Sequence, residues 1–256
     1  MLSLVEISNR ESDSSASPTS TLWAEAYRRI RDRILRGEAP LGTPLSRRKL
    51  AAEFRMSLLP VSEALRKLEL DGLVETQRRA GTRVRIPTIE EIGQHIVVRA
   101  ALECEAAWQF CRQATLDERS ELLVQAERLD LLRADAGNIT VDKQLSFAIH
   151  SLHFEFHIRI AEGAHCDALR RLIEQNQVLT FNWIYDVATG NEVLPPGFHS
   201  ELARALISDS PEAAALAMRA HVWYGRDNLI RGFRSKYGAA ADSESSTVPR
   251  GRWRQG

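Results

Sequence analysis

The chain has 256 residues, 44% of them hydrophobic and 27% charged, with 34 Lys and Arg balancing 34 Asp and Glu; this is the profile of a globular protein long enough for two domains. No apolar run reaches the roughly 20 residues needed to cross a bilayer, and the first 20 residues lack a basic stretch followed by an apolar one, so neither a membrane span nor a signal peptide is expected. The three cysteines, Cys104, Cys111 and Cys166, are odd in number and lack zinc-type spacing, which argues against a disulfide framework and for a reducing cytoplasm.

The balanced total hides a split. Residues 21–86 carry 15 Lys and Arg against 8 Asp and Glu, whereas residues 87–237 carry 15 against 21. A basic first part suits a polyanionic partner, and affinity for such a partner would fall steeply with salt.

In chain order, the Ser-rich stretch 1–20 reads as a disordered arm, as does the polar tail 238–256. Helices are predicted near 22–36, 46–55 and 58–71, with a Gly/Pro break at "GEAPLGTP" between the first two. Ser46 can cap a helix whose apolar face is Leu50, Ala51 and Phe54. Ser57 can cap the next, with Val61, Ala64, Leu65 and Leu68 inward. Only "FRM" separates the two, which is the spacing of a helix-turn-helix. In that geometry the second helix enters the major groove amino-terminus first and brings residues 57–62 to the base edges. The following "LVETQRRAGTRVRI" reads as a small β-hairpin turning near Arg79–Gly81. Such a wing would carry Arg78, Arg79 and Arg83 towards phosphates or the minor groove.

From Thr88 the style changes to long helices. Thr88 and Glu91 form a capping-box pattern directly after Pro87. Helices are predicted near 88–113, 116–135, 140–163, 166–188, 197–208 and 211–235, an antiparallel helical bundle spanning 88–237. Within it, "AIHSLHFEFHIRIA" (148–161) places His150, His153 and His157 at i, i+3 and i+7 on one stripe. Either these are core histidines satisfied by hydrogen bonds, or they converge on something that wants nitrogen ligands. Arg99, four residues before Glu103, is either half of a solvated i, i+4 pair or an inward guanidinium. Trp183 and Tyr185 are pocket candidates, His95 and His165 surface or turn residues.

The residues "PLSRRKLAAEFRMS", "PVSEALRKLELDGLVE" and "RRAGTRV" resemble the winged helix-turn-helix of GntR-type bacterial transcription factors. The bundle behind them resembles the FCD ligand-sensing domain of the FadR subfamily. This resemblance implies a mainly α protein: a winged helix-turn-helix in 21–86, then an all-helical effector domain in 88–237. It implies DNA contacts at Arg48, Ser57, Leu58, Leu59, Pro60, Ser62, Arg78, Arg79 and Gly81. Two positions depart from the family, where Arg usually stands: here they are Leu58 and Ser62. Arg to Leu removes a bidentate guanine reader and leaves a side chain suited to a thymine methyl.

The same resemblance implies a metal site. "FEFH" is similar to the pattern that sets an Asp and a His four residues apart on one helix, and "FHSELARALISDSPEAAALAMRAH" to the stretch that supplies two more His residues. The implied ligands are His153, His157, His199 and His221, with His153 in the place of the family's Asp. Many members hold a divalent metal there, and through it a small carboxylate effector reached by the equivalent of Arg99. Four neutral imidazoles favour zinc, nickel or another late transition metal over magnesium or calcium. The expected partners are a palindromic DNA operator, a small carboxylate metabolite and a second copy of the chain in a homodimer, and the expected role is metabolite-responsive repression. A helical-bundle metalloenzyme built on the same histidines is the rival. It needs a base beside a metal-bound water, and Glu155, two residues from His153 and His157, points elsewhere on its helix. A DNA-binding module that has lost its sensor is a third reading.

Overall fold

The computed structural model describes residues 18–78, 80–136, 143–187 and 194–238. Of the two terminal stretches read as disordered, 1–20 and 238–256, residues 1–17 and 239–256 lie outside the described residues, as do Arg79 and the side chain of Tyr185.

The first unit comprises α1 (Pro18–Leu35), β1 (Pro44–Leu45), α2 (Arg47–Phe54), α3 (Leu58–Leu70), β2 (Val74–Gln77) and β3 (Gly81–Val84). α1 begins inside the stretch read as an arm, with Pro18 at its first position, where the missing N–H costs nothing. α1 and α2 pack on α3, whose buried face is Pro60, Val61, Ala64, Leu65 and Leu68. Ser46 caps α2 by accepting from the Lys49 amide, and the helix closes on Arg55 in the left-handed region, φ 56°. Ser57 occupies the N-cap position of α3 without making the expected side-chain bond. The donor three residues on would be Pro60, which has no N–H to give.

The wing is a three-stranded antiparallel sheet in the order β1-β3-β2, with Val74 opposite Val84 and Gln77 opposite Gly81. β1 was not expected. It is two residues long, begins with a proline and pairs only along the free side of β3, so it leaves no period in the sequence. Arg83 stands across from Glu75 and is ion-paired to it, so it is fixed on the sheet and not extended from the wing.

The second unit is the expected helical bundle: α4 (Ile89–Gln113), α5 (Leu116–Ala136), α6 (Lys143–Gly163), α7 (Asp167–Val187), α8 (Phe198–Leu206) and α9 (Pro211–Tyr237). The capping box opens α4 as read: the Glu91 amide donates to Thr88 Oγ1 at 3.1 Å, and the Thr88 amide to Glu91 Oε2 at 2.9 Å. α4 packs along α9, α6 against α4, α5 and α7, and the short α8 bridges α5 and α9. His95 is not a surface residue. Its Nε2 lies 3.1 Å from the Asn176 carbonyl, and its ring meets Trp183 edge-on at 4.7 Å, so it packs α4 on α7. The two units meet at α1 and α7. There Asp186 accepts from the Leu41 amide of the winged unit at 3.3 Å, from Lys236 Nζ at 3.0 Å and from the Tyr237 hydroxyl.

Candidate functional site

Two surfaces carry the chemistry expected from the sequence. The first is the outward side of the helix-turn-helix. Arg48 is exposed on α2, Ser57, Leu58 and Leu59 are exposed at the start of α3, and Arg78 and Gly81 are exposed at the tip of the wing. Pro60 is buried and serves the helix-helix contact. The Ser62 hydroxyl donates to the Leu58 carbonyl at 2.8 Å, so its proton is used within the helix. Gly81 has φ 86°, a conformation that glycine adopts without strain and that turns the hairpin.

The second lies inside the bundle. α6 projects His153 and His157 one turn apart, with their Nε2 atoms 3.1 Å from each other. α9 brings His221, and donor atoms of His153, His157 and His221 all lie within 4.8 Å of one another. His199, on α8, places its ring 5.1 Å from that of His153 and 5.4 Å from that of His221. His157, His199 and His221 are buried. His150 takes no part in the cluster: its Nδ1 lies 2.7 Å from the Ser146 carbonyl, within its own helix. His165 is exposed and pairs with Glu118.

Two carboxylates aim these rings. Glu103 Oε2 lies 3.0 Å from His157 Nδ1, an ion-pair distance without hydrogen-bond alignment, and its charge favours the proton on that nitrogen and the lone pair on Nε2. Asp130 does the same for His199, whose Nδ1 is 2.7 Å away. The buried Nε2 of His199 has no hydrogen-bond partner, nor has Nδ1 of His221. Asp130 also accepts from the amides of His199 and Ser200, at 3.0 and 2.9 Å. It thereby caps a helix whose own N-cap, Gly197, has no side chain to do so. Neither Asp130 nor its role was read from the sequence. One signal was available: Leu122, Ala126, Leu129 and Asp130, then Arg133, continue a single helical stripe whose apolar members are buried.

The electrostatics follow from burial. Desolvation lowers all four histidines, His199 to about 4 and His153 and His221 well below the usual value, so the rings are neutral at pH 7. Burial alone would raise Glu103, but Arg99 and His157 outweigh it and hold the carboxyl down to about 2. Burial would likewise raise Asp130, and its bonds from His199 and Ser200 outweigh it, leaving it at about 2. Arg99 forms the i, i+4 pair with Glu103, at 2.7 Å, but both are buried and not solvated. The 2.7 Å bond is from Arg99 Nε, while Nη2 reaches both Glu103 Oε2 at 3.4 Å and His157 Nε2 at 3.2 Å.

A cavity of about 40 Å³ opens over the rings of His153, His199 and His221, space for about three waters or for an ion and a few atoms. Arg99, Arg133, Tyr224 and Asn228 give it polar walls, and Ile184, Val187, Phe198 and Leu229 give it apolar ones. Arg133 was not anticipated. Trp183 packs against His95 instead of lining the cavity. Neutral, preoriented imidazoles with inward lone pairs are a donor set that fits a late transition metal. Among the described residues lining the cavity there is no carboxylate: Glu103 is committed to Arg99 and His157, and Glu155 is not among them.

Comparison with known proteins agrees with this architecture. The chain is 25% identical over 210 residues to the HTH-type transcriptional repressor RspR of Escherichia coli K12, covering 80% of this chain and 88% of that one. It is 29% identical over 236 residues to the Uxu operon transcriptional regulator of the same organism, covering 84% and 90%. A GntR transcriptional regulator from Rhodococcus sp. RHA1 shares the fold with a TM-score of 0.68 at 20% identity, covering 82% of this chain and 98% of that one. E. coli McbR/YncC does so at 0.63 and 18%, covering 86% and 100%. Among the described residues, no helix is long and apolar enough to cross a membrane. The family model for bacterial regulatory proteins of the gntR family matches residues 22–84, and that for the FCD domain matches residues 94–223. The chain therefore belongs to the GntR family of bacterial regulatory proteins, regulators and not enzymes, and carries an FCD domain behind its winged helix.

Proposed function

We propose that the chain is a cytoplasmic homodimeric repressor whose hold on a palindromic operator is set by a small carboxylate metabolite bound at a metal held by the buried histidines. The observation that carries the sensing half is the meeting of donor atoms from His153, His157 and His221 within 4.8 Å, at the foot of a cavity walled by Arg99 and Arg133. His199, outside that group of three but with its ring 5.1 Å from that of His153, would join the set through the nitrogen that Asp130 leaves free. Zinc or nickel suits these ligands, and such a cation, undiminished by any carboxylate ligand, would anchor an anion strongly. Arg99 and Arg133 orient the effector carboxylate, and the cavity's size restricts the effector to a few atoms near the rings. Repression, as the sign of regulation, is supported by relatives such as RspR and a probable D-xylose utilization operon repressor of Paenarthrobacter nicotinovorans, 39% identical over 70 residues.

Transmission to DNA requires that the effector bind one arrangement of the two units better than another. Ile184 and Val187 line the cavity on either side of Asp186, which accepts from Leu41 in the winged unit, so α7 touches both the cavity and the winged unit. A two-fold dimer would set two recognition helices on two half-sites. The test is the affinity for a DNA duplex selected by the protein, measured with a panel of small mono- and dicarboxylic acids. With zinc or nickel supplied, at least one acid should change that affinity by about fivefold or more. The effect should vanish on chelation and in His157→Ala. An acid that acts equally well without metal, or a full panel without effect on metal-loaded protein, would contradict the sensing reading.

A further inference from the structure

The recognition helix ends in a surface that the fold does not use. α3 turns Val61, Ala64, Leu65 and Leu68 inward, yet Leu58 and Leu59, its first two residues, stand 51% and 59% exposed. Two adjacent leucines in water forgo the burial of much apolar surface. The preceding helix is basic: Arg47, Arg48 and Lys49 open it, Arg55 closes it, and all four are exposed, with Glu53 the acidic residue among them. An apolar helix tip next in the chain to a basic helix suits a polyanion that itself presents apolar groups.

The chemistry of residues 57–62, Ser-Leu-Leu-Pro-Val-Ser, narrows this further. Guanine is read in the major groove by Arg or Lys, adenine by Asn or Gln, and cytosine by Asp or Glu. The segment contains none of these; of its two serines, which can bond any base and so discriminate little, only Ser57 presents an exposed hydroxyl. Ser62 gives its proton to the Leu58 carbonyl, and Pro60 is buried. What an aliphatic side chain recognises on a base edge is the C5 methyl of thymine. We infer that Leu58 and Leu59 read thymine methyl groups, so that the bases under the helix tip are specified by buried methyls and not by hydrogen bonds to guanine. The inference rests on the reading of the chain as a DNA-binding regulator. Successive residues of a helix point about 100° apart, so the two leucines address different thymines.

Uracil differs from thymine only by that methyl, which makes the test direct. The full chain would select duplexes from a randomised pool, and the selected duplex would be resynthesised with each thymine in turn replaced by uracil, affinity being measured at fixed salt. Replacement at one or more positions in each half-site should weaken binding about three- to tenfold, the fold-change that burial of one methyl accounts for. Leu58→Ala and Leu59→Ala alter exposed side chains, and each should bind the thymine and uracil duplexes alike at the position it reads. Leu58→Arg should shift selection towards guanine. Uracil duplexes bound as tightly as thymine ones would overturn the inference while leaving DNA binding intact. A uracil penalty undiminished in both alanine variants would overturn it too. Failure to select any duplex would overturn the DNA-binding reading and this inference together.

Discussion

Two carboxylates that are not themselves among the expected ligands determine where the imidazoles point. Glu103 and Asp130 each take the Nδ1 side of one ring, His157 and His199, and turn the opposite nitrogen towards His153 in the first case and the cavity in the second. An aligned second carboxylate of this kind tunes a metal site by about 10- to 100-fold in affinity. Asp130→Ala should therefore weaken zinc binding by about that factor, read by competition with a chelator, and should also loosen the start of α8, whose amides it caps. Unchanged zinc affinity would show that His199 needs no such support. At this scale the sequence was informative about the histidines, because their spacing on one helix and in a similar family pattern is local. For Asp130 it offered only a place on an inward stripe and not a role, because its partner lies 69 residues away. It was ambiguous on Arg99, where i, i+4 spacing to Glu103 is the same for a buried pair as for a solvated one.

The elements were legible to within a few residues wherever a cap or a period marked them. Thr88 and Glu91 fixed the start of α4, and the apolar faces of α2 and α3 are those expected. What escaped were features set by neighbours: the two-residue β1, which exists only beside β3, and the uncapped Ser57, where a proline removes the donor. Close helix packing is another such feature. Gly163, the last residue of α6, lies against α4, where an added Cβ would fall 2.6 Å from the ring of the buried Phe110. Phe110 is enclosed and has little room to move, so Gly163→Ala should destabilise the bundle by about 1–3 kcal/mol. Thermal unfolding would show this as a drop of a few degrees or more. A wild-type melting temperature would mean that α4 and α6 can separate without cost.

For the whole molecule, the buried histidines make stability depend on pH in a calculable direction. His95 and His150 lie outside the candidate ligand set, and burial lowers both from 6.5 to about 4. Between those values the unfolded chain binds protons that the folded chain refuses. Stability should be level above about pH 6.5 and fall as pH drops towards about 4. Glu103 and Asp130, held at about 2, add their own loss only below about pH 4.5. Urea midpoints across this range would check it, and His95→Gln should flatten the slope; a constant midpoint would mean that these rings are protonated in place. Above these scales stands the idea that a buried imidazole cluster links a metabolite to a winged helix. Its most direct test is the metal content of the protein after loading with zinc or nickel and exhaustive dialysis. One ion per chain should remain in the wild type and almost none in His157→Ala and His221→Ala, whereas a wild-type protein that retains no metal would contradict the idea.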